Sequence, residues 1–343
     1  MDFSNISTTY TTMKNHQNTV SAYPTFSFET TANEVGTVFS QEIKGKNVLV
    51  TGTSVGGIGV ETAKAIARHA NLVIITGYNH DRLQLSEETI TEEVPTANIR
   101  RLTLDLSSLA AVRKAAAEVN AYSEPLHVLI HNAAATVSTF KLTIDNLENQ
   151  FATDHVGPFL LTKLLAPKLL AAATPTYTPR VIFVSGAGHA FGQGVDFATL
   201  AHPDPAVYNG VQANQQAKSA NILTAIELSR RSQGRINAYS LHPGLILTNL
   251  FQREEAIREL QAFDIVNADG QPNTEKFRWK TIPQGAATTV TAAFDPRLND
   301  KAGAYLDDSN VANESVAVHS SDPANAQRLW AQTEEIIGEK FTF

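Results

Sequence analysis

From residue 44 onward the chain alternates between short, mainly apolar runs of strand length and longer segments that are apolar at helical spacing. "NVLVTG" is followed by "VETAKAIARHA", and "NLVIITG", "IRRLTLDL", "LHVLIHNAA", "RVIFVSG" and "RINAYSLHPG" repeat the first kind of segment. "SLAAVRKAAAEVNAY", residues 147–172 and residues 213–231 repeat the second. A strand with one wet face alternates apolar and polar residues, whereas a strand covered on both faces has no polar side to show. Uninterrupted strand-length runs separated by helices therefore predict a parallel sheet with helices on both faces and right-handed crossovers. The expected fold is α/β, a doubly wound sheet of about seven strands in one domain, spanning residues 43–343. "AGAYLDD" predicts a last strand, and "DPANAQRLWAQTEEIIGEKF" a terminal amphipathic helix with Asp322 as its N-cap and Pro323 at its first position. Residues 247–283 break the alternation and are expected to form a substrate lid. Residues 1–42 are rich in Thr, Ser and Asn and lack a sustained period, so they are expected to be an extension, flexible or laid over the surface. Tyr10, Tyr23, Phe26 and Phe28 are its side chains able to pack against the body.

Composition removes several classes of function. Of 343 residues 43% are hydrophobic, enough for a sizeable core, and the net charge of −7 argues against a nucleic-acid partner. The absence of cysteine excludes disulfides, thiol nucleophiles and Cys-ligated metals. The first residues lack a basic start followed by an apolar core, and no run of about 18 apolar residues occurs. A cytoplasmic protein with no membrane span is therefore expected. No His/Asp/Glu spacing suggests a metal site, and no Gly-x-Ser-x-Gly hydrolase elbow occurs.

The glycine cluster in "LVTGTSVGGIGVETA" changes the picture most. Gly52, Gly57 and Gly59 permit a tight turn and close backbone approach, and from Ile58 a helix N-terminus offers free N–H groups to a pyrophosphate. A preceding strand and a following helix are the context that makes such a cluster a Rossmann-type dinucleotide signature. An Asp after the second strand would bind a ribose 2′-hydroxyl and repel a 2′-phosphate. Gly77 and Tyr78 stand there instead, and Ser54, His80 or Arg82 are left to serve a 2′-phosphate. NADP(H) is the expected cofactor, with NAD(H) the alternative.

Over residues 44–340 these segments resemble the short-chain dehydrogenase/reductase family, in its retinol-dehydrogenase-like and WW-domain-oxidoreductase-like branch. "GHAFGQGVDF" and "AQRLW" carry the flavour of that branch. The family's Thr-Gly-x-x-x-Gly-x-Gly is here one residue longer. The resemblance implies an adenine contact at Asp105, cofactor contacts at Asn132 and Ala133 of "HNAA", and a segment flanking nicotinamide at Pro243, Gly244 and Thr248. It also implies a homodimer through the helix bearing Lys218 and the apolar helix near Leu161.

The family's reductases use an Asn, a Ser, a Tyr and a Lys. "AKSANIL" resembles the segment bearing the lysine, which makes Lys218 that residue. One turn earlier, on the same helical face, stands Asn214 in place of the tyrosine. Tyr208, ten residues before Lys218, does not restore the motif. "RVIFVSGAGH" places Gly186 at the catalytic serine and Ser185 one residue early; a register slip would restore Ser185 but turn it to the other face. Asp154 replaces the asparagine. An amide cannot give up a proton near neutrality as an activated phenol can, and such groups contribute about 10²–10⁴-fold in rate. Asp154 is expected within reach of Lys218. An ion pair would keep its carboxylate charged, and an apolar pocket would raise its pKa. Asn214 could polarise a carbonyl, and His189 is a further acid–base candidate or a structural residue. His131 and His155 read as packing residues.

Three readings stay open. The first is an enzyme of small-molecule, secondary metabolism that binds the dinucleotide without consuming it and carries out cyclisation, cycloaddition, isomerisation or dehydration of a small, largely apolar metabolite. The second is an NAD(P)(H)-dependent oxidoreductase with a non-standard proton donor. The third is a non-catalytic binding or scaffold protein.

Overall fold

The computed structural model describes residues 23–135, 137–249 and 254–343. Eight strands form one sheet: β1 (Asn47–Val50), β2 (Leu72–Gly77), β3 (Ile99–Thr103), β4 (Val128–His131), β5 (Arg180–Val184), β6 (Asn237–Leu241), β7 (Tyr305–Asp307) and β8 (Asn310–Val311). Their order is β3-β2-β1-β4-β5-β6-β7-β8, parallel except for β8. The eighth strand is one more than expected. It has two residues, too few to leave a pattern, and returns through Asp308 and Ser309, both at positive φ (46° and 63°), as a tight hairpin turn requires.

Before the sheet lie α1 (Ala32–Val38) and α2 (Ser40–Ile43). The crossovers carry α3 (Ile58–Ala67), α4 (His80–Glu93), α5 (Leu109–Ala121) and α6 (Asn149–Phe151). The last runs through a wide π turn, Ala152–Val156, into α7 (Gly157–Leu170). Then come α8 (Gly210–Ser232), α9 (Glu254–Ala262), α10 (Ile282–Phe294), α11 (Val318–Ser321) and α12 (Pro323–Ile337). Alternation along each strand divides the core in two. Leu49, Leu129, Val181 and Phe183 face the layer of α5, α7, α8 and α12. Val48, Val50, Ile130 and Ile182 face that of α1, α3 and α10. Asp322 caps α12, accepting from the Ala324 N–H at 2.9 Å, with Pro323 at the first position.

The last part of residues 1–42 packs on the body: Val35 and Phe39, like the adjoining Ile43, are 0% exposed in the layer of α3 and α10. Thr31 and Glu34 form a reciprocal capping box that starts α1 without apolar periodicity, so the pattern concealed it. The rings of Tyr23 and Phe26 meet Phe39 tilted and edge-on, at 5.1 and 5.6 Å, whereas Tyr10 lies outside the described residues. The inward face of α7 packs within the chain, while Leu164, Pro167 and Leu170 lie on its outer side. Phe159 lies 4.7 Å from Trp330 of α12 and 5.6 Å from Phe341, and Leu161 is fully buried. Among the described residues no helix is long and apolar enough to cross a membrane.

Candidate functional site

The sheet order reverses between β1 and β4, and the crevice beyond their carboxyl ends is where such sheets bind ligands. On the nucleotide side Gly57 is the N-cap of α3 and makes no side-chain cap, which leaves the first N–H groups from Ile58 onward without a side-chain acceptor. Gly59 admits no side chain: a Cβ would stand 2.3 Å from the Gly52 carbonyl oxygen and 2.4 Å from Asn132 Nδ2. The additional residue is absorbed in a turn over Ser54–Gly57, closed by the Gly57 N–H donating to the Ser54 carbonyl at 3.1 Å, with Gly56 at φ +78°. Strand end and helix start therefore keep their relation despite the insertion.

Asn132 does not present its amide to the groove. Nδ2 donates to the Thr51 and Gly52 carbonyls, both at 2.9 Å, while the N–H groups of Asn132 and Ala133 donate to Thr51 Oγ1 at 3.0 Å. These residues build the glycine loop's support. Asp105 accepts from the Ser107 N–H and hydroxyl through Oδ1. Ser54, Gly77, Tyr78, Asn79 and Arg82 line one notch at the end of β2, with Tyr78 exposed. Thr248 is buried, and Gly244, at φ +98°, leaves room for the Lys280 stem.

The chemical side is built by α8 and the π turn. Lys218 Nζ lies 3.2 Å from Asp154 Oδ2, and Asp154 Oδ1 accepts the Ala135 N–H at 2.6 Å. The Asp154 side chain is 0% exposed and that of Lys218 12%, so the ammonium is the group a ligand can meet. Burial pushes the Asp154 carboxyl above its ordinary range, against the opposing pull of Lys218 and the Ala135 N–H. Asn214 stands one turn before Lys218, half-buried, with Oδ1 facing Gly188. Its side chain has no hydrogen-bond partner among the described residues. Gly186 is extended, and a Cβ there would meet Lys218 Cγ at 3.7 Å, an ordinary contact.

The other candidates are held elsewhere. Ser185 donates to the Lys218 carbonyl at 2.7 Å, tying the strand end to the backbone of α8 and leaving the hydroxyl turned from Asn214's face of the cleft. His189, 1% exposed, is hydrogen-bonded through Nδ1 to the Gly186 carbonyl at 2.7 Å, and its ring meets Tyr305 edge-on at 5.3 Å. Its Nε2 is buried and unpartnered among the described residues, and burial lowers its pKa. It pins the loop after β5 and does not join Asp154 and Lys218. Tyr208 donates to Glu148 Oε1 and accepts from Gln150 Nε2, each at 2.9 Å, and burial raises its pKa. No phenol from residue 208 reaches the amine. His131 and His155 are packing residues: His131 bonds Thr162 and stacks on Phe183, and His155 bonds Thr333 of α12 at 2.8 Å. The Glu148–Gln150–Tyr208 tie and the His155–Thr333 tie, which hold the π turn in place, were not anticipated. Both join residues far apart in the chain, and neither leaves a local signal.

This crevice, with a glycine turn at a helix start on one bank and a half-buried lysine on the other, defines a doubly wound nucleotide-site fold. The family model for short chain dehydrogenase matches residues 46–195. Short-chain dehydrogenase TIC 32 A, chloroplastic, of Brassica napus is 37% identical over 292 residues, covering 82% of this chain and 85% of that protein. The WW domain-containing oxidoreductase of Homo sapiens is 34% identical over 318 residues, covering 91% and 72%. An uncharacterised protein from Mycobacterium paratuberculosis superposes with a TM-score of 0.65 at 26% identity, covering 89% and 98%. A short chain dehydrogenase of Escherichia coli CFT073 complexed with NADPH matches in fold, with a TM-score of 0.57 at 21% identity, covering 78% and 98%. The chain belongs to the short-chain dehydrogenase/reductase family.

Proposed function

We propose that this chain binds NADP(H) and converts a small, largely apolar metabolite without net redox change, by isomerisation, cyclisation, cycloaddition or dehydration. One observation carries the reading. The position facing Lys218 holds an amide, and the hydroxyl of Tyr208 is committed to Glu148 and Gln150. The cofactor assignment is supported by family membership, by the uncapped start of α3 and by the absence of a carboxylate at Gly77–Tyr78. The dinucleotide would be held by Gly52, Gly57, Ile58 and Gly59 at the pyrophosphate and by Pro243, Gly244 and Thr248 at its other end. In this family it supplies hydride chemistry. The chain's own residues do something different. Lys218 presents an ammonium to a substrate oxygen, and Asp154 behind it balances that charge out of water. Asn214 donates or accepts at the neighbouring position without exchanging a proton. Ser185 acts through the backbone of α8, as a positioning residue. The exposed Leu142, Ile144, Phe191 and Phe263, on the loops after β4, β5 and β6, support an apolar substrate.

Family membership favours a second reading, hydride transfer with water or another group giving the proton. The two are separated by incubating the protein with NADPH and a panel of small apolar carbonyl compounds, following nicotinamide absorbance and product mass together. A product of unchanged mass, or lighter by one water, at constant absorbance supports the first. A product two hydrogens heavier, with stoichiometric loss of NADPH, overturns it.

A further inference from the structure

The additional residue of the glycine loop is engaged by a residue 194 positions away. The turn over Ser54–Gly57 places Val55 at the surface, 38% exposed. Its carbonyl accepts a hydrogen bond from Asn249 Nδ2 at 2.8 Å, and the neighbouring Gly56 carbonyl accepts the Asn249 backbone N–H at 3.4 Å. The Asn249 side chain also lies 3.8 Å from where a Cβ would stand on Gly56 and on Gly57. Asn249 directly follows Thr248, the last residue of the segment expected beside nicotinamide. The contact thus joins the two banks of the dinucleotide groove, and both partners are exposed on its outer side. A loop of the family's length lacks the residue on which this bridge is built.

We propose that Asn249 and the inserted turn form a clasp across the groove that slows passage of the dinucleotide in both directions. Asn249 acts here as a positioning residue, through the backbone of the glycine loop. The clasp rests on the dinucleotide site alone; its link to function rests on the non-redox reading, in which the cofactor need not exchange at each turnover.

The test is stopped-flow binding of NADPH to the full chain, read by nicotinamide fluorescence, with Asn249→Ala beside the parent protein. A bridge spanning the mouth obstructs entry and exit alike. The variant is therefore expected to associate and dissociate about fivefold faster, the factor one net hydrogen bond is worth, with Kd little changed. Deleting Val55 removes the bridge from the other bank and gives the same rates, and adding Asn249→Ala to that deletion changes nothing more. Unchanged rates in Asn249→Ala overturn the clasp. A rise in dissociation alone, with Kd weakened in proportion, also overturns it, because Asn249 is then an ordinary contact to the cofactor. Neither result bears on whether turnover consumes NADPH, so the clasp and the non-redox reading fail separately.

Discussion

The two banks of the cleft are made of different material. Along the nucleotide bank the working groups are backbone: the N–H groups opening α3, the carbonyls of Thr51 and Gly52 held by Asn132, and a glycine turn. An additional residue enters that bank and is absorbed, because a turn with Gly56 at φ +78° returns the chain to the same helix start. Along the chemical bank the working groups are side chains on the π turn and α8. There Asp154, Gly186 and Asn214 stand beside Lys218 on a frame set by strand register and helix packing. Side chains that line a cleft can be exchanged with little effect on the core, so chemistry drifts there first. Backbone-built binding survives insertion but not a side chain where two segments touch.

The largest expected effect comes from reversing the chemical bank. Gly186→Ser with Asn214→Tyr is expected to raise NADPH-dependent carbonyl reduction by about 10²–10⁴-fold. The Ser Cβ fits at 3.7 Å from the Lys218 stem, and the tyrosine would face the small Gly188. No gain, measured with a simple aromatic aldehyde, would mean that the bank differs in more than these side chains. On the opposite bank, Gly59→Ala drives a Cβ into the Gly52 carbonyl and Asn132. Overpacking of this kind costs about 1–3 kcal/mol, visible in denaturant unfolding and as weakened NADPH binding. A neutral result would erase the contrast between the banks.

Smaller effects are read from pH. His155, buried within the π turn, has its pKa lowered to about 3 by desolvation. A base depressed on folding adds stability that is present above its unfolded value, about 6.5, and lost as pH falls through the folded one. His155→Gln is expected to flatten the loss of Tm on that acid limb, and parallel curves would refute it. Asp154 runs the other way. Its pKa is raised by burial, so folding favours the protonated form, and stability declines as pH rises from about 3.9 through the raised value. Asp154→Asn removes that decline; an unchanged slope between the two proteins would place the titration elsewhere.

Much of this was legible beforehand for identifiable reasons. The runs at 48–50, 72–75 and 128–130 are apolar without interruption because both faces of the sheet are covered. Asn214 could be placed on the face of Lys218 because the two lie one helical turn apart, a local spacing. The fate of Ser185, whose hydroxyl bonds the Lys218 carbonyl, depended on which way a strand end turns toward a helix 33 residues on. His189 was ambiguous for the same reason, as its partner Tyr305 is remote in the chain. An apolar helix does not name what covers it, and on the inward face of α7 it is Trp330 of α12, packed on Phe159.

By itself, then, the order of residues determined the doubly wound sheet, the glycine turn at the start of α3 and the amide of Asn214 one turn before Lys218, because periodicity and spacing along one element are local properties. Only the tertiary structure decided that Asp154 is buried against Lys218, that Tyr208 is held away, that residues 32–43 belong to the core and that Asn249 meets the inserted turn. Each of these is a contact between distant segments, and its strength comes from water excluded when the whole chain closes.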